Sequence, residues 1–343
     1  MFSDQLTEWY KINKRNLPWR ETTDPYKIWL SEIILQQTRV DQGMSYYLKF
    51  IDHYPTVDDL AAASEQEVLN DWQGLGYYSR ARNLHATAKF ISHECGGKFP
   101  ATYDEIIRLK GVGPYTAAAI ASFAFKEVKA LVDGNVYRIL SRYFDISTPI
   151  DSTGGKKEFQ LLADSLIPKD QPDLHNQAIM EFGSQQCTPV NPDCTSCILN
   201  DSCRALINQT VSSRPVKEKK TKVRSRYFYY AVFMENNKIC VQKRTQSDIW
   251  QHLYEFPLFE ADSALSEQEL LQHYASTYQL QPEKISGEVK HVLSHQRIIT
   301  RFVHFSHIPK ELSPLAIELT ALEKVPLPRL IHRYIEDAEL VIA

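Results

Sequence analysis

The sequence predicts two domains, a mostly helical domain followed by an α+β domain, and three features support this division. Up to about residue 204, segment after segment carries apolar residues at helical spacing. Four cysteines, spread over seventeen residues, close this region. Strand-like segments rich in β-branched and aromatic residues begin only after residue 226. A chain of 343 residues is long enough for two such domains, each with its own core.

Local signals predict where several helices of residues 1–204 begin. Asp24-Pro25 predicts a helix start, with the aspartate as N-cap and the proline in the first turn. Thr102 and Glu105 have the spacing of a capping box ahead of an apolar run. Further helices are predicted at about 57–70, 78–93, 115–125, 135–143, 156–166 and 173–183.

Residues 205–226 are predicted to form a solvated basic linker, because their second half is rich in lysine and arginine and poor in large apolar residues. The region from 227 to 343 is predicted to be the α+β domain. Its predicted elements are strands at 227–234 and 238–244 around an Asn236-Asn237 turn, a helix at 266–278 and a strand at 296–305.

The composition is that of an ordinary soluble protein, with 43% hydrophobic and 24% charged residues. The net charge of −3 is no argument for a nucleic-acid partner, although a basic face can coexist with an acidic remainder. The N-terminus lacks the basic start and apolar run of a signal peptide, and no apolar stretch is long enough to span a bilayer. We therefore expect a cytoplasmic protein without membrane association.

The four clustered cysteines predict a metal centre. Cys187, Cys194, Cys197 and Cys203 bring four thiol ligands together on a short segment, which suits a tetrahedral zinc ion or a [4Fe–4S] cluster. A zinc ribbon more often has two closely spaced pairs, and only one pair here is close, which favours the cluster.

A glycine hairpin predicts a contact with a phosphate backbone. Gly111 and Gly113 allow a tight turn and leave the backbone N–H groups uncovered. Pro114 then begins a helix whose N-terminal dipole favours an anion. Such a hairpin binds a sugar–phosphate backbone whatever the base sequence.

Two carboxylates are candidates for catalysis. Asp133 precedes Gly134-Asn135 at a predicted helix start, where an N-cap is the simplest interpretation. Glu32 lies on a strongly apolar helix, where it is either part of an exposed stripe or half-buried. If it is half-buried, its pKa rises and it can donate a proton near neutral pH.

Together, the hairpin, the Asp133 motif and the cysteine spacing resemble the helix-hairpin-helix DNA glycosylase superfamily, close to endonuclease III. Gln36-Gln37-Thr38, Tyr115, Gly134-Asn135 and the added C-terminal domain are similar to its adenine DNA glycosylase branch. The resemblance is strong over residues 1–204 and weaker beyond them. It implies an all-α glycosylase domain with a hairpin at 102–125 and an iron–sulfur loop at 187–203, followed by a Nudix-like α+β domain at 227–343.

The resemblance implies removal of adenine mispaired with 8-oxoguanine or guanine in duplex DNA, after the adenine has been flipped out of the helix. Glu32 is then the group that protonates N7 of adenine, and Asp133 stabilises the oxocarbenium-like sugar by its charge or by transient covalent attachment. Asn135 orients Asp133, and Tyr115 supports the region of the departing base. Related lyases carry at this hairpin position a lysine that forms a Schiff base, and a phenol cannot do so.

The resemblance also implies how the protein holds its substrate. The implied DNA- and base-binding residues are Arg20, Leu35, Gln37, Thr38, Tyr77, Gly111, Gly113, Gln177, Ser294 and His295. The implied cofactor is a [4Fe–4S] cluster, the implied partner is double-stranded DNA, and we expect a monomer associated with the nucleoid. Pyrophosphatase activity is not expected, because residues 227–343 lack the acidic Nudix signature.

Three other functions remain open at this level. The first is a bifunctional glycosylase and lyase of the endonuclease III type, which Tyr115 argues against. The second is a non-catalytic iron–sulfur DNA-binding module, which has no need of both Glu32 and Asp133. A zinc-binding hydrolase is a more distant third.

Overall fold

The computed structural model describes residues 2–218 and 223–338. The chain divides into two compact units, Met1–Ala62 with Asn83–Lys220 and Ala63–Arg82 with Thr221–Ala343. The predicted fold class, a helical domain and an α+β domain, is confirmed. One segment departs from the sequential division: residues 63–82 belong to the second unit. Three basic residues of the expected linker, Lys219, Lys220 and Lys222, lie outside the described residues.

Helices account for nearly all the regular structure before residue 208. In chain order the α-helices are α1 (Phe2–Asn13), α2 (Pro25–Leu35), α3 (Val40–His53), α4 (Val57–Ala62), α5 (Glu65–Asp71), α6 (Ser79–Glu94), α7 (Tyr103–Ile106), α8 (Pro114–Phe125), α9 (Gly134–Tyr143), α10 (Thr153–Leu166), α11 (Pro172–Gln185), α12 (Arg204–Ile207), α13 (Glu267–Tyr278) and α14 (Arg329–Asp337). Within the described part of the chain, no helix is both long and apolar enough to cross a membrane.

The predicted helix starts are confirmed at two sites. The Asp24 side chain accepts a hydrogen bond from the Tyr26 N–H, so α2 begins with its predicted N-cap. Thr102 and Glu105 form the predicted capping box of α7. The single helix predicted at 57–70 is wrong, because a second capping box, between Ser64 and Glu67, starts a new helix there.

Helix α2 is the centre of the first unit. Its residues from Ile28 to Ile34 are all buried, and the helix packs against α3 and α8. Glu32 falls within this buried run and is 8% exposed. The interpretation of Glu32 as part of an exposed stripe is therefore wrong. Its carboxyl group is buried on a helix of mostly apolar residues.

The second unit is built on a mixed seven-stranded sheet. Its strands are β1 (Arg224–Glu235), β2 (Lys238–Cys240), β5 (Leu258–Ala261), β6 (Lys284–Ile285), β7 (Val289–Val292), β8 (Gln296–Phe305) and β9 (Ala316–Glu318). β1 and β8 run parallel at the centre, and the other pairs are antiparallel. Strands β3 (Gln242–Lys243) and β4 (Tyr254–Glu255) form a separate two-stranded sheet.

Helices cover both faces of the large sheet, which explains the unbroken apolar run of β1. Phe228, Tyr230 and Val232 pack on the face that carries α14, and the intervening residues of β1 pack on the face that carries α13. The predicted Asn236-Asn237 turn is present, with both asparagines in the left-handed region that a tight hairpin requires. The continuous strand predicted at 238–244 is wrong, because it divides between two sheets.

Residues 63–82 join the second unit through specific hydrogen bonds. The Leu327 N–H donates to the Gln73 side chain at 3.1 Å, and the Tyr78 hydroxyl donates to the Leu327 carbonyl at 3.3 Å. Arg82 donates to the main-chain oxygen of Gln251 at 2.7 Å. Trp72, Leu75 and Tyr78 of this segment are buried.

Candidate active site

A cavity of about 180 Å³ in the helical unit brings most of the candidate residues together. It lies between α2, the start of α8, the start of α9, α11 and a 3-10 helix at Pro18–Arg20. The predicted residues that line it are Arg20, Glu32, Leu35, Thr38, Tyr115, Asp133, Asn135 and Gln177. They come from parts of the chain up to 157 residues apart, and only folding places them around one space.

Glu32 is a strongly perturbed acid of this cavity. Burial raises the pKa of Glu32 from its ordinary value near 4.5 to about 7. A hydrogen bond with Tyr115 and the positive charge of Arg20 oppose this rise, and the negative charge of Asp133 adds to it. Near neutral pH the Glu32 carboxyl group therefore exists in both protonation states, as a general acid requires.

Asp133 is held by the N-terminus of α9. Its Oδ1 accepts hydrogen bonds from the backbone N–H groups of Asn135 at 2.9 Å and Val136 at 2.8 Å. Its Oδ2 accepts from Nδ2 of Asn135 at 2.7 Å. Burial raises the pKa of Asp133, and these three hydrogen bonds oppose the rise. The N-cap interpretation is thus confirmed, and the same bonds fix the carboxylate at the cavity wall.

Tyr115 lies in the first turn of α8, next to both carboxylates. Burial raises the pKa of Tyr115 well above 10, and the negative charges of Glu32 and Asp133 raise it further. The phenol is therefore neutral and can donate a hydrogen bond. Among the residues that line this cavity there is no lysine.

A chain of hydrogen bonds connects Asn135 to the cysteine segment. Nη2 of Arg138 donates to Oδ1 of Asn135 at 2.8 Å, and Nε of Arg138 donates to the main-chain oxygen of Cys187 at 2.7 Å. Gly183 allows α11 to approach here, because a Cβ at this position would lie 2.6 Å from Cβ of Asn135. The residue that holds Asp133 is thereby tied to the start of the cysteine loop.

Sequence reasoning missed four residues at this site. Arg15, Met180 and Glu181 line the cavity, and the buried Tyr10 donates a 2.6 Å hydrogen bond from its hydroxyl to Oε1 of Gln177. Glu181 is fully buried and paired with two arginines. Its only signal in the sequence is a charge within an otherwise apolar helical stretch, from Ala178 to Phe182.

The predicted hairpin joins α7 and α8. Gly111 has φ +78°, and a Cβ there would lie 2.7 Å from Cβ of Asn83, so both the turn and the close packing require glycine. Gly113 is the N-cap of α8 and provides no side-chain cap, and a Cβ at this position would meet no atom within 4 Å. The helix N-terminus is therefore left open for an anion.

Gln37 does not join the cavity. It is exposed, directly after α2, and adopts φ +56°, a left-handed conformation that is uncommon for a residue with a side chain. Its neighbours Leu35 and Thr38 line the cavity.

The second unit contains another cavity, of about 430 Å³. It brings Tyr77 together with Ser294 and His295, which lie more than 200 residues later in the sequence. The hydroxyl groups of Tyr77 and Ser294 are hydrogen-bonded to each other. His291 and Trp250, of which the sequence did not predict Trp250, add two rings to the lining, with centroids 5.8 Å apart.

The four cysteines lie on the loop-rich segment after α11. Cys187, Cys194 and Cys203 all lie close enough to Cys197 to influence its pKa electrostatically, so the four thiols are neighbours. In residues 2–218 and 223–338, no three Cys, His, Asp or Glu side chains are arranged as a ready-made metal site. The guanidinium of Arg142 is buried beside the segment and donates to Sγ of Cys187 at 3.4 Å.

Comparisons with known proteins agree with both units. Residues 30–163 match the HhH-GPD superfamily of base excision DNA repair proteins, and residues 229–337 match the NUDIX domain. An adenine DNA glycosylase of Buchnera aphidicola subsp. Schizaphis graminum is 33% identical over 321 residues, which cover 93% of this chain and 88% of the relative. The adenine DNA glycosylase of Homo sapiens is 42% identical over 213 residues, which cover 60% of this chain and 39% of the human protein.

A solved structure also resembles the helical unit. A thermostable thymine-DNA glycosylase aligns with a TM-score of 0.57 and 30% identity, covering 60% of this chain and 95% of that chain. The match to the Buchnera relative extends over nearly the whole of both chains, and both domain families are found in the expected order. The chain therefore belongs to the adenine DNA glycosylase family, a branch of the HhH-GPD superfamily of base-excision repair N-glycosylases.

Proposed function

We propose that this protein removes adenine mispaired with 8-oxoguanine or guanine from duplex DNA by hydrolysis, without an efficient strand-cutting step. The observation that carries the proposal is the pair of carboxylates in one cavity. The pKa of Glu32 is about 7, while Asp133 is anchored by three hydrogen bonds at a helix N-terminus. Two carboxylates in different environments are suited to opposite roles in glycosidic bond cleavage.

In the proposed reaction, adenine is flipped out of the duplex into the cavity. The protonated Glu32 donates its proton to N7 of adenine, so that the base leaves as a neutral molecule when the N-glycosidic bond breaks. The sugar becomes positively charged, and the Asp133 carboxylate stabilises this cation. Water then attacks the anomeric carbon and gives up a proton to the Glu32 carboxylate. The enzyme returns to its starting protonation state, and the DNA keeps an abasic site.

The cavity that contains Glu32 and Asp133 is called the excision cavity below. The absence of lysine from its lining supports a monofunctional enzyme. A lyase needs an amine that forms a Schiff base with the opened sugar. Tyr115 occupies the hairpin position at which related lyases carry that amine, and its neutral phenol can only donate a hydrogen bond.

DNA binding is proposed for both units. The open N-terminus of α8 provides backbone N–H groups for a phosphate, and Gly113 keeps side chains out of the way. Exposed Gln37 and Tyr77 are proposed to enter the duplex, where the Tyr77 ring stacks on a base. Ser294 and His295 are proposed to recognise the 8-oxoguanine edge by hydrogen bonds. We expect the protein to act as a monomer in the cytoplasm, associated with the nucleoid.

The cysteine segment is proposed to hold a [4Fe–4S] cluster. Its donor set is four neighbouring thiols, a set that binds iron as thiolates. The buried Arg142 next to Cys187 fits the negative charge of a thiolate-ligated cluster. When bound, the cluster would cross-link residues 187–203 into one rigid loop.

One assay on defined duplexes tests the proposed reaction. The full-length protein should release adenine opposite 8-oxoguanine and opposite guanine, but not adenine paired with thymine. The product strand should break only after alkali treatment. Failure to release adenine contradicts the main proposal, and direct nicking with borohydride trapping supports the lyase instead.

A separate measurement tests the cofactor. Purified protein should be brown, absorb in the blue part of the visible spectrum and contain about four iron atoms per chain. Colourless protein with one equivalent of zinc contradicts the proposed cluster.

A further inference from the structure

Glu181 is a fully buried acid beside the excision cavity, and the proposed chemistry does not use it directly. Its carboxylate accepts hydrogen bonds from Nε and Nη2 of Arg15 at 2.7 and 2.8 Å, and from Nη2 of Arg20 at 2.6 Å. The Arg15 N–H and the Gln185 amide donate two more, at 3.1 and 2.6 Å. Burial alone would raise the pKa of Glu181, but the two arginines together lower it to about 2, so the group is ionised.

Arg20 connects this ion cluster to the proton donor. Both Arg20 and Glu32 line the excision cavity, and the positive charge of Arg20 favours the ionised form of Glu32. Arg15, Arg20 and Glu181 together carry one net positive charge. Without Glu181 the net positive charge doubles. Ionised Glu32 is then more strongly stabilised, and its pKa falls.

The other groups that face Glu32 act on it from different elements. The hydroxyl of Tyr115 on α8, which donates to Sδ of Met180 at 3.3 Å, also lowers the pKa of Glu32, and Asp133 at the start of α9 contributes a negative charge. Arg20 is the cation from the 3-10 helix that acts on Glu32, and the α11 side chains nearest the cavity other than Glu181 are uncharged. The charges of Arg20 and Glu181 are therefore among the few that can change the pKa of Glu32.

We propose that Glu181 is a positioning residue of the excision reaction, which holds Arg20 at the cavity wall and neutralises part of the positive charge that faces Glu32. The proton of Glu32 is thereby retained near neutral pH. This inference rests on the proposed role of Glu32 as proton donor. A merely structural role, in which Glu181 only ties the N-terminal segment to α11, predicts a loss of rate or stability but no change in the protonation of Glu32.

The test is the pH dependence of single-turnover adenine excision by the full-length, cluster-containing protein. For the wild type, the rate should fall as the pH rises through about 7, because Glu32 loses its proton. Glu181→Gln keeps the size of the side chain but removes its negative charge. The falling limb of the pH–rate profile, where the rate drops as the pH rises, should then move to lower pH by about one unit. At pH values above this limb the variant should be up to about tenfold slower than the wild type.

Arg15→Gln is the paired variant, because it removes a positive charge from the same cluster. Its falling limb should move in the opposite direction, to higher pH. Loss of packing lowers the rate at every pH and cannot produce shifts of opposite sign. If Glu181→Gln does not fold, the upward shift in Arg15→Gln still tests the inference.

Unchanged limbs in both variants, or shifts in the same direction, overturn the inference. A direct readout uses no DNA: carbon NMR of the glutamate carboxyl groups, with the Glu32 signal identified by its absence in Glu32→Gln. Its titration midpoint should move as the rate profile does. The proposed function fails separately, if the wild type releases no adenine or if Glu32→Gln still excises it at a normal rate.

Discussion

The two cavities of this protein differ in the chemistry of their walls. The excision cavity, of about 180 Å³, is lined by ionisable groups whose pKa values are shifted by burial and by each other. The cavity of the second unit, of about 430 Å³, is lined by rings, hydroxyl groups, imidazoles and aliphatic side chains, with three charged residues, Arg82, Asp248 and Arg329. The first is suited to moving a proton and stabilising a cation, and the second to stacking and hydrogen bonding.

This difference predicts how the two cavities respond to substitution. A reaction that depends on charge in a buried site is expected to lose orders of magnitude when one charge is removed. Recognition that depends on neutral hydrogen bonds and stacking is distributed over several weak contacts, and each substitution should cost far less.

The largest effects are expected for the two carboxylates. Glu32→Gln and Asp133→Asn should each reduce single-turnover excision by about 10²- to 10⁴-fold, because each removes a charge or proton that the transition state needs. Binding to the mispaired duplex, measured by fluorescence anisotropy, should remain within a few-fold. Glu158→Gln, on an exposed position of α10, is the matched control and should excise normally. Near-normal rates for either carboxylate variant contradict its assigned role.

A smaller effect is expected for Tyr77. Tyr77→Ala removes a ring proposed to stack on a base, a contact worth about 1–3 kcal/mol, so duplex affinity should fall about 5- to 150-fold. Tyr77→Phe keeps the ring and loses only the hydroxyl that bonds Ser294. It should keep most of the affinity, and equal losses in both variants would argue against stacking.

A still smaller effect is expected for Ser294. Ser294→Ala removes one neutral hydrogen-bonding group, worth about 1 kcal/mol, so the preference for 8-oxoguanine over guanine should fall about fivefold. The rate of excision opposite guanine is the internal control and should change little. A loss that is equal for both opposite bases means that Ser294 does not read the oxidised edge.

The smallest effect is expected for Tyr115, and it concerns the pKa of Glu32. Tyr115→Phe removes the hydrogen bond that lowers the pKa of Glu32, so that pKa should rise. The falling limb of the pH profile should move to higher pH by less than about one unit. Tyr143→Phe, at a position that does not line the cavity, should leave the limb in place. A downward shift for Tyr115→Phe contradicts the assigned direction of the hydrogen bond.

The sequence predicted those features whose cause is local. The N-caps of α2 and α9 and the capping box of α7 depend on side chains two or three residues from the groups they bind, so short motifs identify them. The hairpin is similar, because Gly111 satisfies a backbone requirement at its own position. The fold class followed from the periodicity of these elements.

Features that depend on distant partners were not predicted. Glu181 is ionised because Arg15 and Arg20, more than 160 residues earlier in the chain, fold against it. Strands β2 and β3 belong to different sheets, because β2 pairs with β9 and β3 pairs with β4. Even Glu32 could be assigned from sequence only conditionally, since burial and not residue type determines its pKa.

Residues 63–82 have a further consequence for how this protein can be divided. The chain crosses between the two units three times, after Ala62, after Arg82 and after Lys220. A cut near residue 220 therefore separates Gln73 and Tyr78 from the Leu327 backbone that they bind. An isolated N-terminal fragment would keep every residue that lines the excision cavity but would lose these hydrogen bonds, so the conformation of residues 63–82 should be the first property to change.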